Sequence, residues 1–189
     1  DPHIILLGII NDRIGKKHVR GKVQLQKLLY LVDYYVGINS NTQYYRYEHG
    51  PYDRKLDNYI EELVRNEWYQ RRSDNSGILV KGKNHDEFAK KYKNNFRSKQ
   101  SEISRLVDAL KDMKTSQLER IATLFAVWND FILDGQLHPT DETIINEVVT
   151  NWTQNKANPK YSTWEMSLKK MKKLGIVPTG QGLHTIPKS

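Results

Sequence analysis

The sequence predicts an α+β fold that is mostly α. Several stretches repeat apolar residues at i, i+3, i+4 and i+7, as in Leu56, Tyr59, Ile60, Leu63 and Val64, which is the stripe of a helix with one buried face. A few short segments alternate with period two and end in Gly, Pro, Asn or Ser clusters, the signature of short strands. No internal repeat or low-complexity segment interrupts the 189 residues.

The elements follow in order. Ile4, Leu7, Ile10 and Ile14 open a short apolar helix closed by Gly15, and KKHVRGK, residues 16–22, forms a basic loop. A second helix carries Leu25, Leu28, Leu29, Val32 and Val36 and stops at Gly37, where a glycine accepts left-handed backbone. QYYRYE reads as a strand with Tyr45 and Tyr47 on one face and Tyr44, Arg46 and Glu48 on the other. Gly50-Pro51 turns the chain into a third helix, with Asp53 as its N-cap. WYQRR and ILVKGK form two strands joined at SDNSG. This order of helix, helix, strand, helix and basic ribbon predicts a winged helix-turn-helix-like domain over residues 1–83.

From residue 84 to 189 the pattern becomes a helical domain with an extended C-terminal tail. DEFAKKYKNNFRSK lines up Phe88, Tyr92 and Phe96, and a further helix holds Ile103, Leu106, Val107 and Leu110. Capping boxes at Ser116–Glu119 and Ser162–Glu165 open two more helices, and Thr140 caps another.

Composition narrows the function. Cysteine is absent, which removes disulfides, thiolate nucleophiles and Cys-based zinc sites and fits a cytoplasmic protein. Ile4–Ile10, the longest apolar run, is far short of the roughly 20 residues of a membrane span and lacks the flanks of a signal peptide. Asp1 in place of Met points to a piece of a longer chain. The net charge is +8, and it is concentrated: residues 1–100 hold 19 Lys+Arg against 12 Asp+Glu, residues 101–189 hold 11 against 10. A basic half joined to a neutral half fits a polyanionic partner, double-stranded DNA.

The expected DNA contacts are Lys16, Lys17, Arg20 and Lys22 in the basic loop, Arg54, Lys55 and Asn58 at the start of the third helix, and Arg71, Arg72, Lys81 and Lys83 on the ribbon. Loop and ribbon would hold phosphates, while Arg54, Lys55 and Asn58 would read bases. Asp53, Asp57, Glu61 and Glu62 on the same helix oppose that approach. An aromatic surface of Tyr30, Tyr34, Tyr45 and Tyr47 offers the alternative, a protein partner.

Catalysis finds little support. Glu48, His49 and Asp53 in EHGPYD are the materials of an acid–base site, yet a turn and a helix cap account for most of that stretch. The six histidines show no HxxxH pair, and no phosphate loop or nucleophile elbow is present. No enzyme, cofactor or metal site is expected.

Leu25, Gln26, Lys27, Leu28, Leu29 and Tyr30, followed by Gly50, Pro51 and Tyr52, resemble a YwgA-like group of prokaryotic proteins and, more distantly, the Panacea (SocA-like) antitoxin domain. The likeness covers residues 4–83, with Asp53 where the first group often has Ser. It implies a winged-helix-like domain in a regulatory, toxin–antitoxin or phage-defence setting, with a cognate toxin or restriction subunit as protein partner. ATLFAVWNDFILDG is similar to tails of restriction-associated proteins.

Overall fold

The computed structural model describes residues 1–38, 41–152 and 159–187. Helices α1 (Pro2–Ile14) and α2 (Lys22–Val36) precede a hairpin of β1 (Tyr45–Tyr47) and β2 (Gly50–Tyr52). Helix α3 (Leu56–Arg65) leads into the ribbon β3 (Tyr69–Arg71) and β4 (Leu79–Lys81). Helices α4 (His85–Tyr92), α5 (Gln100–Leu110), α6 (Thr115–Leu133), α7 (Asp141–Asn151) and α8 (Tyr161–Lys173) complete the helical part, and the tail ends in β5 (Ile186–Pro187). The fold is α+β and mostly helical, with small sheets, as the periodicities indicate.

Helix α2 is the axis of the molecule. Residues Leu28 to Tyr34 are all buried, so the helix is enclosed on every side instead of showing one wet face. It packs on α1, α5 and α6. One continuous core therefore joins Leu28 and Leu29 to Leu106, Leu124, Phe125 and Trp164. The segments 1–83 and 84–189, expected as separate domains, share that core.

Several local expectations are corrected. Gly50-Pro51-Tyr52 is not a turn into a helix but strand β2, paired antiparallel with β1 across a turn at Glu48-His49. Pro51 is tolerated because β2 is the edge of the sheet ordered β2-β1-β5, where a missing N–H leaves no ladder bond unmade. The basic helix stops at Tyr92, and Phe96 has φ +56, so it does not continue the Phe88–Tyr92 row. Helices α6 and α8 start one residue earlier than the serines of the two capping boxes, and their N-cap positions, Lys114 and Lys160, make no side-chain cap bond. Thr140 does cap α7, its hydroxyl accepting from the Thr143 N–H at 3.1 Å.

The strand between α2 and α3 does not join the ribbon. It pairs with β2 and, in parallel, with β5 from the far end of the chain, while β3 and β4 form a separate two-stranded sheet. The tail is extended, as expected, and is held at several points. The Ile186 N–H donates to the Tyr44 carbonyl at 3.0 Å, and the Leu183 N–H donates to the Tyr34 hydroxyl at 3.0 Å.

Candidate nucleic-acid interface

The basic loop is shaped by two glycines and one glutamine. Gly15 (φ +73) and Gly21 (φ +110) bracket it in backbone that other residues avoid. Gln24, buried on α2, accepts from the Arg20 N–H at 2.9 Å and donates to the His18 and Lys111 carbonyls at 3.0 and 3.2 Å. Arg20 donates to the Asp112 carbonyl at 3.1 Å, and His18 pairs with the Asp112 carboxylate. The backbone of the loop around His18 and Arg20 is thus held by α2 and by the segment that follows α5, which lowers the ordering cost when the loop meets a ligand.

The ribbon is tied to α1 by two polar contacts. Tyr69 donates its hydroxyl to the Gly8 carbonyl at 2.9 Å, and Asn11 donates its amide to the Leu79 carbonyl at 3.3 Å. Burial first, then the nearby Asp12, pushes the Tyr69 phenol far above its ordinary range, so it stays a donor. Between loop and ribbon lies a groove of about 430 Å³, bordered by Lys16, Val19, Gln70, Arg72, Val80 and Lys81. Asp12 also borders it, but His85 Nε2 holds that carboxylate at 2.9 Å.

The expected contact residues divide into two groups. Lys16, Arg72 and Lys81 come together at the groove, with Lys17 exposed on the same loop. Arg72 is salt-bridged to Asp74, whose carboxyl is held well below the usual range by Arg72 and Ser76. Lys16, Lys17, Lys55 and Lys81 have no ion pair among the described residues. The others are already engaged: Lys22 pairs with Asp57 at 2.5 Å, Arg71 with Glu61, and Lys83 with Glu67 at 3.8 Å.

Helix α3 is less suited to reading a groove than its basic start implies. Lys55 and Asn58 are exposed, but Arg54 lies 3.8 Å above the Tyr45 ring. Asp57 and Glu61 stand exposed on this helix and draw in the cations of the loop and ribbon. Its exposed side is a mosaic of ion pairs and not a positive stripe.

The aromatic partner surface is corrected. Tyr30 and Tyr34 are buried at 0% and 1% exposure, edge-packed with Tyr44 inside the core. Only Tyr45 and Tyr47 reach solvent. Tyrosines at helical spacing serve here as large core residues. The EHGPYD residues engage different partners. Asp53 is buried, accepting from the Lys55 N–H at 2.8 Å and the Tyr59 hydroxyl at 2.9 Å. His49 lies 3.2 Å from Glu119, and Glu48 is exposed. Among the described residues no group of three or more His, Asp or Glu could hold a metal ion.

Two features escaped the sequence reading. Arg46 on β1 reaches Asp130 of α6 at 3.2 Å, Glu147 of α7 at 2.9 Å and the Thr185 hydroxyl of the tail at 3.0 Å, all within the protein. The signal was present: period two puts Arg46 on the same face as buried Tyr44, and an inward arginine requires a buried carboxylate. The second is Lys27 on α2, 2% exposed, whose ammonium donates to the Pro51 carbonyl at 2.7 Å. It fastens the hairpin to the central helix.

Comparison with protein-family models, with curated proteins and with solved structures returns no match. The site is therefore read from its own chemistry.

Proposed function

We propose that this protein binds double-stranded DNA without catalysis, gripping the phosphate backbone between the basic loop and the β3–β4 ribbon. The observation that carries the reading is the convergence of Lys16, Arg72 and Lys81 on one groove whose walls are fixed by Gln24, Asn11 and Tyr69. In this reading α1–α3 and the ribbon act as a winged helix-turn-helix-like unit with the ribbon as its wing. Base reading by Arg54, Lys55 and Asn58 is secondary, because Asp57 and Glu61 repel phosphate beside them. The resemblance of residues 4–83 to YwgA-like and Panacea-type domains bears on the fold more than on the activity; what it would imply for the role is a prokaryotic regulatory or defence setting in the cytoplasm.

The test is fluorescence anisotropy with a labelled duplex across a salt series. Neutralising three phosphates gives a slope of log affinity against log salt of about −3, a loss of roughly 40-fold between 50 and 200 mM. Lys16→Ala with Lys81→Ala should make the slope shallower by about 2. Arg54→Ala with Lys55→Ala should weaken binding less. A duplex that is not retained even at low salt would sink the proposal and favour a protein partner instead.

A further inference from the structure

A second pocket, of about 290 Å³, opens where the first turns of α2 meet the β1–β2 hairpin and the start of α3. It shares no lining residue with the loop–ribbon groove. Its walls include Val23, Gln26, Lys27, Tyr47, Tyr52 and Leu56. Gln26 is the anomaly. It is 2% exposed, yet among the described residues neither its amide oxygen nor its amide nitrogen has a hydrogen-bond partner. A buried amide left this way keeps its full desolvation penalty, and a methionine or leucine would fill the space without it. Tyr30, one turn further along the same helix, also has a buried hydroxyl without a hydrogen-bond partner among the described residues.

We infer that this pocket binds an adenine base, with the Gln26 amide pairing to its edge and the tyrosines forming the stacking wall. A glutamine amide presents an acceptor beside a donor, the complement of the adenine amino group and the neighbouring ring nitrogen. The Tyr47 and Tyr52 rings lie 5.3 Å apart at 33°, and Tyr47 is 36% exposed. Part of the Tyr47 ring therefore reaches solvent at the pocket, and aromatic rings are the surfaces on which bases stack. Lys22 and His49 also line the pocket, each beside a carboxylate, Asp57 and Glu119 respectively, so the base and not an attached phosphate carries the recognition. The volume lies just below the usual range of ligand pockets, about 300–1,000 Å³, which suits a single base better than an extended ligand. Both amide atoms are screened from solvent in the unliganded protein, so binding in this proposal requires Gln26 to rotate its amide into the pocket that it borders.

The same base could come from a free adenine nucleotide or from an unpaired position in a nucleic-acid strand. Isothermal titration calorimetry on the full chain distinguishes them, with AMP as one probe and an oligo-deoxyadenylate of about eight nucleotides as the other. Binding of AMP identifies a free nucleotide as sufficient, whereas binding of the oligonucleotide alone identifies a strand. UMP should bind at least about tenfold more weakly than AMP or not at all. Gln26→Met should lower affinity for the adenine probe at least about tenfold while leaving the melting temperature of the unliganded protein equal or higher. Should Gln26→Met fail to fold, Tyr47→Ala, at an exposed position, carries the test and should also weaken binding. Lys16→Ala with Lys81→Ala should leave the adenine probe bound, so failure of the duplex reading and failure of this one are separable. No binding of either adenine probe, equal binding of AMP and UMP, or unchanged binding by both pocket variants would overturn the inference.

Discussion

Arg46→Met should destabilise the protein by about 3–5 kcal/mol, because it leaves the buried Asp130 carboxylate without its cation. At this chain length that corresponds to a melting temperature lower by roughly 10 °C. The magnitude rests on geometry: Arg46 and Asp130 side chains are each 9% exposed, so water cannot replace the lost partner. The network also joins elements distant in sequence. Arg46 lies on β1, Asp130 on α6 and Glu147 on α7, and the Thr185 N–H donates to Asp130 at 2.9 Å. Its loss should therefore free the tail as well as weaken the core, measurable as faster amide exchange at Thr185 and Ile186.

The same substitution should show a distinctive pH dependence. Burial raises the Asp130 carboxyl above its ordinary value, while Thr185 and Arg46 pull it back down. A carboxyl with a raised value in the folded state stabilises fully below the unfolded value of about 3.9, and that contribution is lost as pH rises through the folded value. Removing Arg46 takes away one downward influence and moves the folded value higher still. At pH 5 a larger share of Asp130 is then protonated, which relieves the unpaired charge. The deficit of Arg46→Met relative to the parent should be smaller at pH 5 than at pH 8, as read by denaturant unfolding at both values. An equal deficit would mean that Arg46 acts through packing and not through charge.

The second large effect is expected at Gly82, immediately after β4. Its N–H donates to the Trp68 carbonyl at 3.0 Å. A methyl group there would land on the Glu67 carbonyl oxygen and lie 2.8 Å from its carbon. That obstacle is backbone, so it cannot swing aside as a side chain would. Gly82→Ala should cost about 2–3 kcal/mol as an overpacking substitution, and it should unseat the end of the ribbon that carries Lys81. Duplex affinity should fall with it. By contrast, an alanine at Gly77, where a new methyl group meets no atom of the described residues within 4 Å, encounters the strain of φ +70.

Much of the architecture was legible because it is local. The stripe of Leu56, Tyr59, Ile60 and Leu63 has one buried face, and α3 forms over it. Gly37 ends α2 in left-handed backbone, and SDNSG joins β3 to β4. What escaped was non-local or doubly determined. Gly50-Pro51 has the composition of a break, and only its position at a sheet edge makes it a strand. The pairing of β1 with β5 joins Tyr45 to Ile186, and no periodicity in either segment encodes the other. Among the contact residues, charge located the loop and the ribbon but could not show which cations were already paired. Lys22 and Arg71 are tied to α3, whereas Lys16 and Lys81 border an open groove. Helical spacing alone cannot tell a partner surface from a core at Tyr30 and Tyr34, which the packing of α6 against α2 encloses.

In the function proposed above, the loop and the ribbon hold duplex DNA more strongly than the start of α3 does. The most direct test of that function is a two-dimensional amide NMR titration of the protein with a short duplex at low salt. The largest shifts are expected at Gly15 to Arg20 and at Ile78 to Gly82, diminishing as salt is raised. Shifts confined to Arg54–Asn58 or to Tyr45–Tyr47, or no shifts at all, would contradict the account.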